Sequence, residues 1–208
     1  MLWRHRKSIR LASWREQTIC QGGSSSQGSG NPLRSAPVRL FVALELSRDS
    51  IQALELWRKP LVIKYPLLKW TSESQLHITL RFLGDCNPDD VIPKMKALAL
   101  RELLPVEYTL SDIGDFGKPP FVIWLSGKFS SSLYTMASRL EHIPDEHGNT
   151  GETGRFIPHV TIARVRSGVQ CPRLNPDISI QGAAQSVNLV ESVLTSKGPV
   201  YSTLYTVS

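Results

Sequence analysis

Twice in this chain a histidine and a threonine stand two residues apart between aliphatic neighbours: Leu76 to Leu80 is "LHITL" and Pro158 to Ile162 is "PHVTI". Such alternation is the pattern of a β-strand, whose successive side chains point to opposite faces. His77, Thr79 and Arg81 are therefore expected on one face, with Ile78, Leu80 and Phe82 on the other. His159 and Thr161 share a face in the same way, backed by Val160 and Ile162. Arg164 has the opposite parity to His159, so a surface or structural place is expected for it unless a bulge re-aims it. With five histidines and eleven threonines in 208 residues, about 0.26 His-x-Thr triplets are expected by chance. Two with aliphatic residues at all four intervening and following positions arise on the order of once in ten thousand such chains.

The surroundings of the two motifs set the fold class. "VRLFVALEL" from Val38 is a strand candidate. Ser47 to Lys59 predicts a helix with Ile51, Leu54 and Leu56 on its apolar side. The first motif strand is expected to end at Gly84, and "NPDD" opens a helix predicted over Pro88 to Leu104. "VEYTLSDIGDFG" and "FVIWLSG", joined by "KPP", predict a strand pair, followed by a helix from Ser130 to His142. After the second motif, "SVNLVESVLT" and "YSTLYTV" around "SKGP" predict a closing hairpin. Strands met in pairs between helices point to an α+β fold. With one motif in each half, we expect two similar lobes of antiparallel sheet with helices on the outside. An approximate two-fold would relate them, and both motif strands would face a central cleft.

Charge divides the chain differently. Residues 1–37 carry six basic residues against Glu16 alone, a net of +5, which leaves 18 basic and 17 acidic residues, a net of +1, for residues 38–208. The leader ends in "QGGSSSQGSGNPLRSAP" and is expected to be largely disordered, since it has too little apolar content to offset its chain entropy. Its Arg-rich, Ser-rich character is shared by organelle transit peptides, by dispensable extensions and by the product of a start codon placed too far upstream. A single domain is expected over 38–208, binding any anion through a few placed residues rather than a broad basic field. No window is long and apolar enough for a membrane span. Three cysteines without C-x-x-C spacing indicate neither a disulfide scaffold nor a zinc site, and a reducing cytoplasm is the default compartment.

Two histidines across a cleft suit a reaction in which one group accepts a proton while another donates one, because their ordinary pKa near 6.5 admits both forms. Threonine hydroxyls suit the non-bridging oxygens of a phosphate, helped by a nearby cation such as Arg81. In-line displacement at phosphorus fits imidazoles placed face to face.

"WTSESQLHITLRFLG" and "RFIPHVTIARV", with "RLFVALEL" ahead, "IGDFGKPPFVIWL" between them and "ESVLTSKGPVYSTL" at the end, resemble the 2H phosphoesterase superfamily. The RNA 2′,3′-cyclic phosphodiesterases, also called 2′-5′ RNA ligase-like proteins, fit best. The resemblance runs from Val38 to the C-terminus; the leader has no counterpart in it, and the Gly-rich acidic loop Pro144 to Gly154 departs from it. It implies hydrolysis of RNA 2′,3′-cyclic phosphate to a 2′-phosphomonoester without metal or cofactor. By motif order His77 would be the proton donor to the departing 3′ oxygen and His159 the proton acceptor from water, with Thr79 and Thr161 on the phosphoryl oxygens. RNA ends or oligonucleotides carrying the cyclic phosphate would be the partners, the protein a monomer, and 2′-5′ ligation the reverse reaction.

Other residues have plainer readings. Arg155 precedes the second motif and is a candidate for contact with an RNA backbone. His142 and His147 match no common zinc spacing and are expected to be solvated loop residues. Trp57, Trp70, Trp124, Phe41 and Phe121 are candidates for base stacking, most of them expected in the core. Two alternatives to the cyclic phosphodiesterase stay open: a 2′,5′-oligonucleotide phosphodiesterase or other activity of the same histidines, and a non-catalytic RNA-binding module.

Overall fold

A computed structural model describes residues 35–151, 156–174, 177–196 and 198–208. Most of the expected leader, residues 1–34, lies outside them, as does Arg155. The strands are β1 Val38–Glu45, β2 Lys69–Trp70, β3 His77–Cys86, β4 Val106–Gly117, β5 Pro120–Phe129, β6 Val160–Arg164, β7 Ile180–Ala184, β8 Val187–Thr195 and β9 Gly198–Val207; the helices are α1 Arg48–Lys64, α2 Pro88–Ala97 and α3 Ser131–Leu140. All pairings are antiparallel. They join into one sheet of order β7-β4-β5-β6-β3-β1-β8-β9, with β2 alongside β6. The two expected lobes are the halves of this sheet, β7-β4-β5-β6 and β3-β1-β8-β9. The fold is α+β, as the sequence predicts.

One face of the sheet carries the main core, in which Leu40, Leu44, Ile78, Leu125, Ile162 and Leu189 of the strands pack with Leu54 of α1, Met95 of α2 and Leu133 and Met136 of α3. Side chains of this kind contribute roughly 1.5–3 kcal/mol each when fully buried. The opposite face has a smaller cluster of Phe41, Ala43 and Val190, with Tyr201 against it. No helix among the described residues is long and apolar enough to cross a membrane.

α1 extends beyond the expected Lys59, through Pro60, to Lys64. Its buried positions Ser50, Leu54 and Arg58 recur every four residues. Leu56, expected on the apolar side, lies about 200° round the helix from Leu54 and is 74% exposed. Arg58 takes the inner place by pairing with Glu55 and the Thr71 carbonyl. The helix predicted over Pro88 to Leu104 is also revised. It stops at Ala97 because Ala99 adopts φ 49°, in the left-handed region. A 3-10 turn over Leu100–Leu103 follows, and the Arg139 guanidinium of α3 donates to the freed carbonyls of Leu98 and Ala99, both at 2.9 Å. β3 runs past the expected stop, with Gly84 at φ 74° inside it. β7 is absent from the sequence reading.

Candidate active site

β3 and β6 meet through the register pair Ile78 opposite Val160, and both side chains are fully buried in the main core. In an antiparallel ladder the flanking residues exchange places about such a pair. His77 and Thr79 stand one step either side of Ile78, and Thr161 and His159 one step either side of Val160. The local two-fold of the ladder therefore passes between Ile78 and Val160, and the four polar side chains fall together on the face away from the helices. The sequence-expected grouping of His77, Thr79, His159 and Thr161 is realised here.

Arg81 departs from the expectation. Thr79 pairs with Ala43 while Arg81 pairs with the adjacent Val42, so Leu80 is an extra residue in β3. A bulge of this kind reverses the parity of everything beyond it. Arg81 points with Val42 into the core side and is 6% exposed. Its guanidinium donates to the carbonyls of Ile143, Asn149 and Gly151, each at 3.1 Å. These bonds hold the loop after α3 against β3 and turn the guanidinium away from the histidines. Phe82 instead follows Thr79 onto the cleft face, 6.1 Å from Phe41 between ring centroids.

β6 has the same irregularity. Thr161 pairs with Trp124 and Ala163 with the adjacent Ile123, so Ile162 is bulged at the position matching Leu80. Ala163 turns into the core, and Arg164, opposite Val122, is re-aimed onto the face of Thr161. Of the two motif-strand arginines, Arg164 rather than Arg81 therefore lies on the cleft face.

Each imidazole is held at Nδ1 by a main-chain carbonyl two residues earlier. His77 Nδ1 lies 2.8 Å from Gln75 O and His159 Nδ1 2.7 Å from Ile157 O. Carbonyls only accept, so both rings carry their proton on Nδ1 and present the Nε2 lone pair. Thr79 Oγ1, 3.0 Å from His77 Nε2, donates to it. The segments that carry these carbonyls are themselves anchored. Gln75 closes a 3-10 turn, its N–H donating to Ser72 O at 2.9 Å, and Ser126 Oγ donates to Pro158 O at 2.6 Å, just before His159.

Aromatic rings wall each imidazole. His77 has Phe41 at 5.0 Å and Tyr201 edge-on at 5.5 Å. His159 has Phe116 edge-on at 4.9 Å and Trp124 at 6.2 Å. The Trp124 indole lies across Gly114, where a Cβ would come within 2.1 Å of it, so only glycine admits the ring. Burial lowers the pKa of His77 to about 4, against the raising effect of the bond to Gln75 and with a further lowering from His159. Burial also lowers that of His159, against its bond to Ile157. Both imidazoles are therefore neutral at pH 7 in this structure.

Of the other candidates, Trp57 and Trp70 pack against the main core, whereas Phe121 is 40% exposed. His142 and His147 are exposed. Among the described residues no group of three or more His, Cys, Asp or Glu is disposed to hold a metal ion. Phe116 and Tyr201 were not singled out from the sequence. Their strands were legible, but no motif marks which alternating residue meets an imidazole.

The model of the 2′-5′ RNA ligase superfamily matches residues 45–189, a span that includes both motif strands. The chain belongs to the 2′-5′ RNA ligase superfamily. An RNA 2′,3′-cyclic phosphodiesterase of Aeropyrum pernix is 30% identical over 150 residues, 67% of this chain and 85% of that protein. One of Thermotoga maritima is 28% identical over 177 residues, 81% of this chain and 94% of that protein. Among solved structures, Thermus thermophilus TT0787 superimposes with TM-score 0.67 at 28% identity, covering 81% of this chain and 96% of that one. Apo LigT of E. coli has the same fold, with TM-score 0.67 at 24% identity over 83% of this chain and 98% of that one. The superfamily match stops before β9, so Tyr201 lies outside it.

Proposed function

We propose that this chain hydrolyses RNA 2′,3′-cyclic phosphate to the 2′-phosphomonoester, with His77 as proton donor and His159 as proton acceptor. The observation that carries this reading is the two-fold arrangement about Ile78 and Val160, which offers two Nε2 atoms and two threonine hydroxyls to one phosphate. The names of the Aeropyrum and Thermotoga relatives point to the same reaction.

His159 Nε2 takes a proton from water as its oxygen attacks phosphorus. The bond from phosphorus to the 3′ oxygen breaks on the opposite side, and His77 Nε2 gives that oxygen a proton, leaving the phosphate on the 2′ oxygen. A neutral His77 must first acquire its proton. The anionic phosphate favours this, because a negative charge beside an imidazole raises its pKa. As His77 becomes protonated, the Thr79 hydroxyl turns from Nε2 to a phosphoryl oxygen, and Thr161 holds another. Arg164 supplies the cation on this face. Ligation, the reverse of cleaving a 2′-5′ linkage, is the same displacement with a ribose 5′-hydroxyl in place of water: His159 takes the hydroxyl proton as its oxygen bonds to phosphorus, and the 3′ oxygen leaves with a proton from His77; in water, hydrolysis prevails.

Incubation with a nucleoside 2′,3′-cyclic phosphate, followed by phosphorus NMR, tests the reading. A 2′-phosphomonoester is expected. A 3′-phosphomonoester would reverse the regiochemistry. Cleavage of 2′,5′-linked oligonucleotides with no turnover of the cyclic phosphate would favour the alternative phosphodiesterase, and binding of RNA without turnover of either would favour a non-catalytic module.

A further inference from the structure

The cleft holds more positive charge at one margin than a single phosphate requires. Lys69 of β2 stands directly opposite Arg164 of β6, so the two side chains leave the sheet on the same face. Cβ atoms of such pairs lie about 4.5–5.5 Å apart, and like charges so placed are destabilising. Because Ile162 is bulged, Arg164 lies only two ladder positions from Thr161, the span from Trp124 to Val122, roughly 7 Å at strand rise and within an arginine side chain's reach of a phosphate held at Thr161. Both cations are exposed.

The closing hairpin comes down on this margin. Gln75 Nε2, from the turn before His77, donates to Pro199 O. The Lys69 ammonium lies against Gly198, at 3.2 Å from where a Cβ would stand, and the Gly198 backbone, at φ 124°, is one that residues with a side chain rarely adopt. Tyr201, three residues on, packs edge-on to Phe41 and His77. Burial raises the Tyr201 pKa, and the nearby charges of Arg164 and Arg39 act against it, so the phenol is a hydrogen-bond donor close to two guanidinium groups. Residues 38–208 carry a net charge of only +1, which makes the gathering of Arg164 and Arg39 near the Tyr201 phenol, with Lys69 opposite Arg164, a local feature rather than part of a basic surface.

We propose that Lys69, beneath the β8–β9 hairpin and beside Arg164, binds the phosphodiester on the 5′ side of the terminal nucleotide, so that the site prefers an RNA end to a lone nucleoside cyclic phosphate. This rests on the proposed function. Two cations in register suit two phosphates in succession, the reacting one toward Arg164 and its neighbour toward Lys69.

The test compares a nucleoside 2′,3′-cyclic phosphate bearing a 5′-hydroxyl with the same compound bearing a 5′-phosphate and with a dinucleotide ending in the cyclic phosphate, using the full chain and its Lys69→Gln and Lys69→Glu variants. The wild type is expected to turn over the two longer substrates with kcat/KM at least roughly fivefold higher. Lys69→Gln is expected to remove most of that advantage and Lys69→Glu to reverse it, with the 5′-hydroxyl substrate little changed. The salt dependence for the dinucleotide should also become shallower by about 0.7 in log–log slope for Lys69→Gln, the value for one single-strand phosphate contact. No 5′-phosphate advantage in the wild type, or an advantage indifferent to both substitutions, overturns the subsite. A chain that hydrolyses none of the three overturns the proposed function instead. The subsite is then decided by fluorescence anisotropy with a labelled dinucleotide 3′-phosphate, whose binding must weaken in Lys69→Glu for the subsite to stand.

Discussion

Ile78 and Val160 oppose each other across the seam where β3 meets β6, and this buried pair fixes the spacing of both histidines. Each aliphatic residue anchors its strand to the core, while its neighbours His77, Thr79, His159 and Thr161 project to the other side. Truncating either imidazole should thus spare the scaffold. His77→Ala and His159→Ala are each expected to lower kcat by roughly 10²–10⁴-fold, with circular dichroism spectra and melting curves close to those of the parent. Near-parental turnover in either properly folded variant would end the paired acid–base assignment.

The histidines also predict a pH response. In the free protein, NMR titration should find His77 protonating near pH 4 and His159 below the usual 6.5, and inorganic phosphate should raise both. The lowered folded-state pKa means that the unfolded chain binds the proton more readily. His77 therefore contributes stability that is fully present above pH 6.5 and is lost as pH falls toward about 4. The loss is on the order of 1–3 kcal/mol, since solvent reaches part of the ring. Urea unfolding of the parent and of His77→Gln at pH 7 and pH 4.5 measures it: the parent should lose more stability between the two. Equal losses would mean that the imidazole is not desolvated.

The threonines give a sharper test of phosphate binding, because valine keeps the shape and removes only the hydroxyl. Thr79→Val and Thr161→Val are each expected to cost on the order of 1–3 kcal/mol in transition-state stabilisation, read from kcat/KM for a nucleoside cyclic phosphate. Unchanged kcat/KM in both would separate the hydroxyls from the phosphoryl group.

The motif residues were legible because period-two alternation survives from His77 to Thr79 and from His159 to Thr161. Beyond those threonines the alternation of the letters continues but that of the side chains does not. The bulged Leu80 and Ile162 are ordinary strand residues, aliphatic like their neighbours, and no glycine marks the irregularity. The sequence accordingly favoured Arg81 over Arg164, naming a bulge as the only way Arg164 reaches the cleft. The helical errors have a similar origin. Leu56 looks apolar but sits off the stripe set by Ser50, Leu54 and Arg58, and nothing in "KALALRELL" announces that Ala99 turns left-handed. β7 escaped notice because "IQGAA" is a strand of small residues; its Gly182 sits where a Cβ would meet the Ser50 and Tyr108 hydroxyls at 2.3 and 2.6 Å.

The two arginines then separate by experiment. Arg81→Met removes a buried guanidinium that satisfies the Ile143, Asn149 and Gly151 carbonyls, leaving acceptors unpaired at about 1–3 kcal/mol apiece when water cannot replace the donor. The expected result is a lowered melting temperature and faster proteolysis of the loop after α3, with KM for the cyclic nucleotide nearly constant in the folded fraction. Arg164→Gln acts at an exposed position and should leave stability within about 0.5 kcal/mol of the parent. Its kcat/KM should fall tenfold or more, since a charge-assisted contact to the phosphate is lost, on the order of 1.5–3 kcal/mol. Melting curves and steady-state kinetics on both variants decide between the faces. Were Arg81→Met to keep its melting temperature while losing kcat/KM, and Arg164→Gln to keep its kcat/KM, simple alternation would govern both strands and the bulges at Leu80 and Ile162 would not be there.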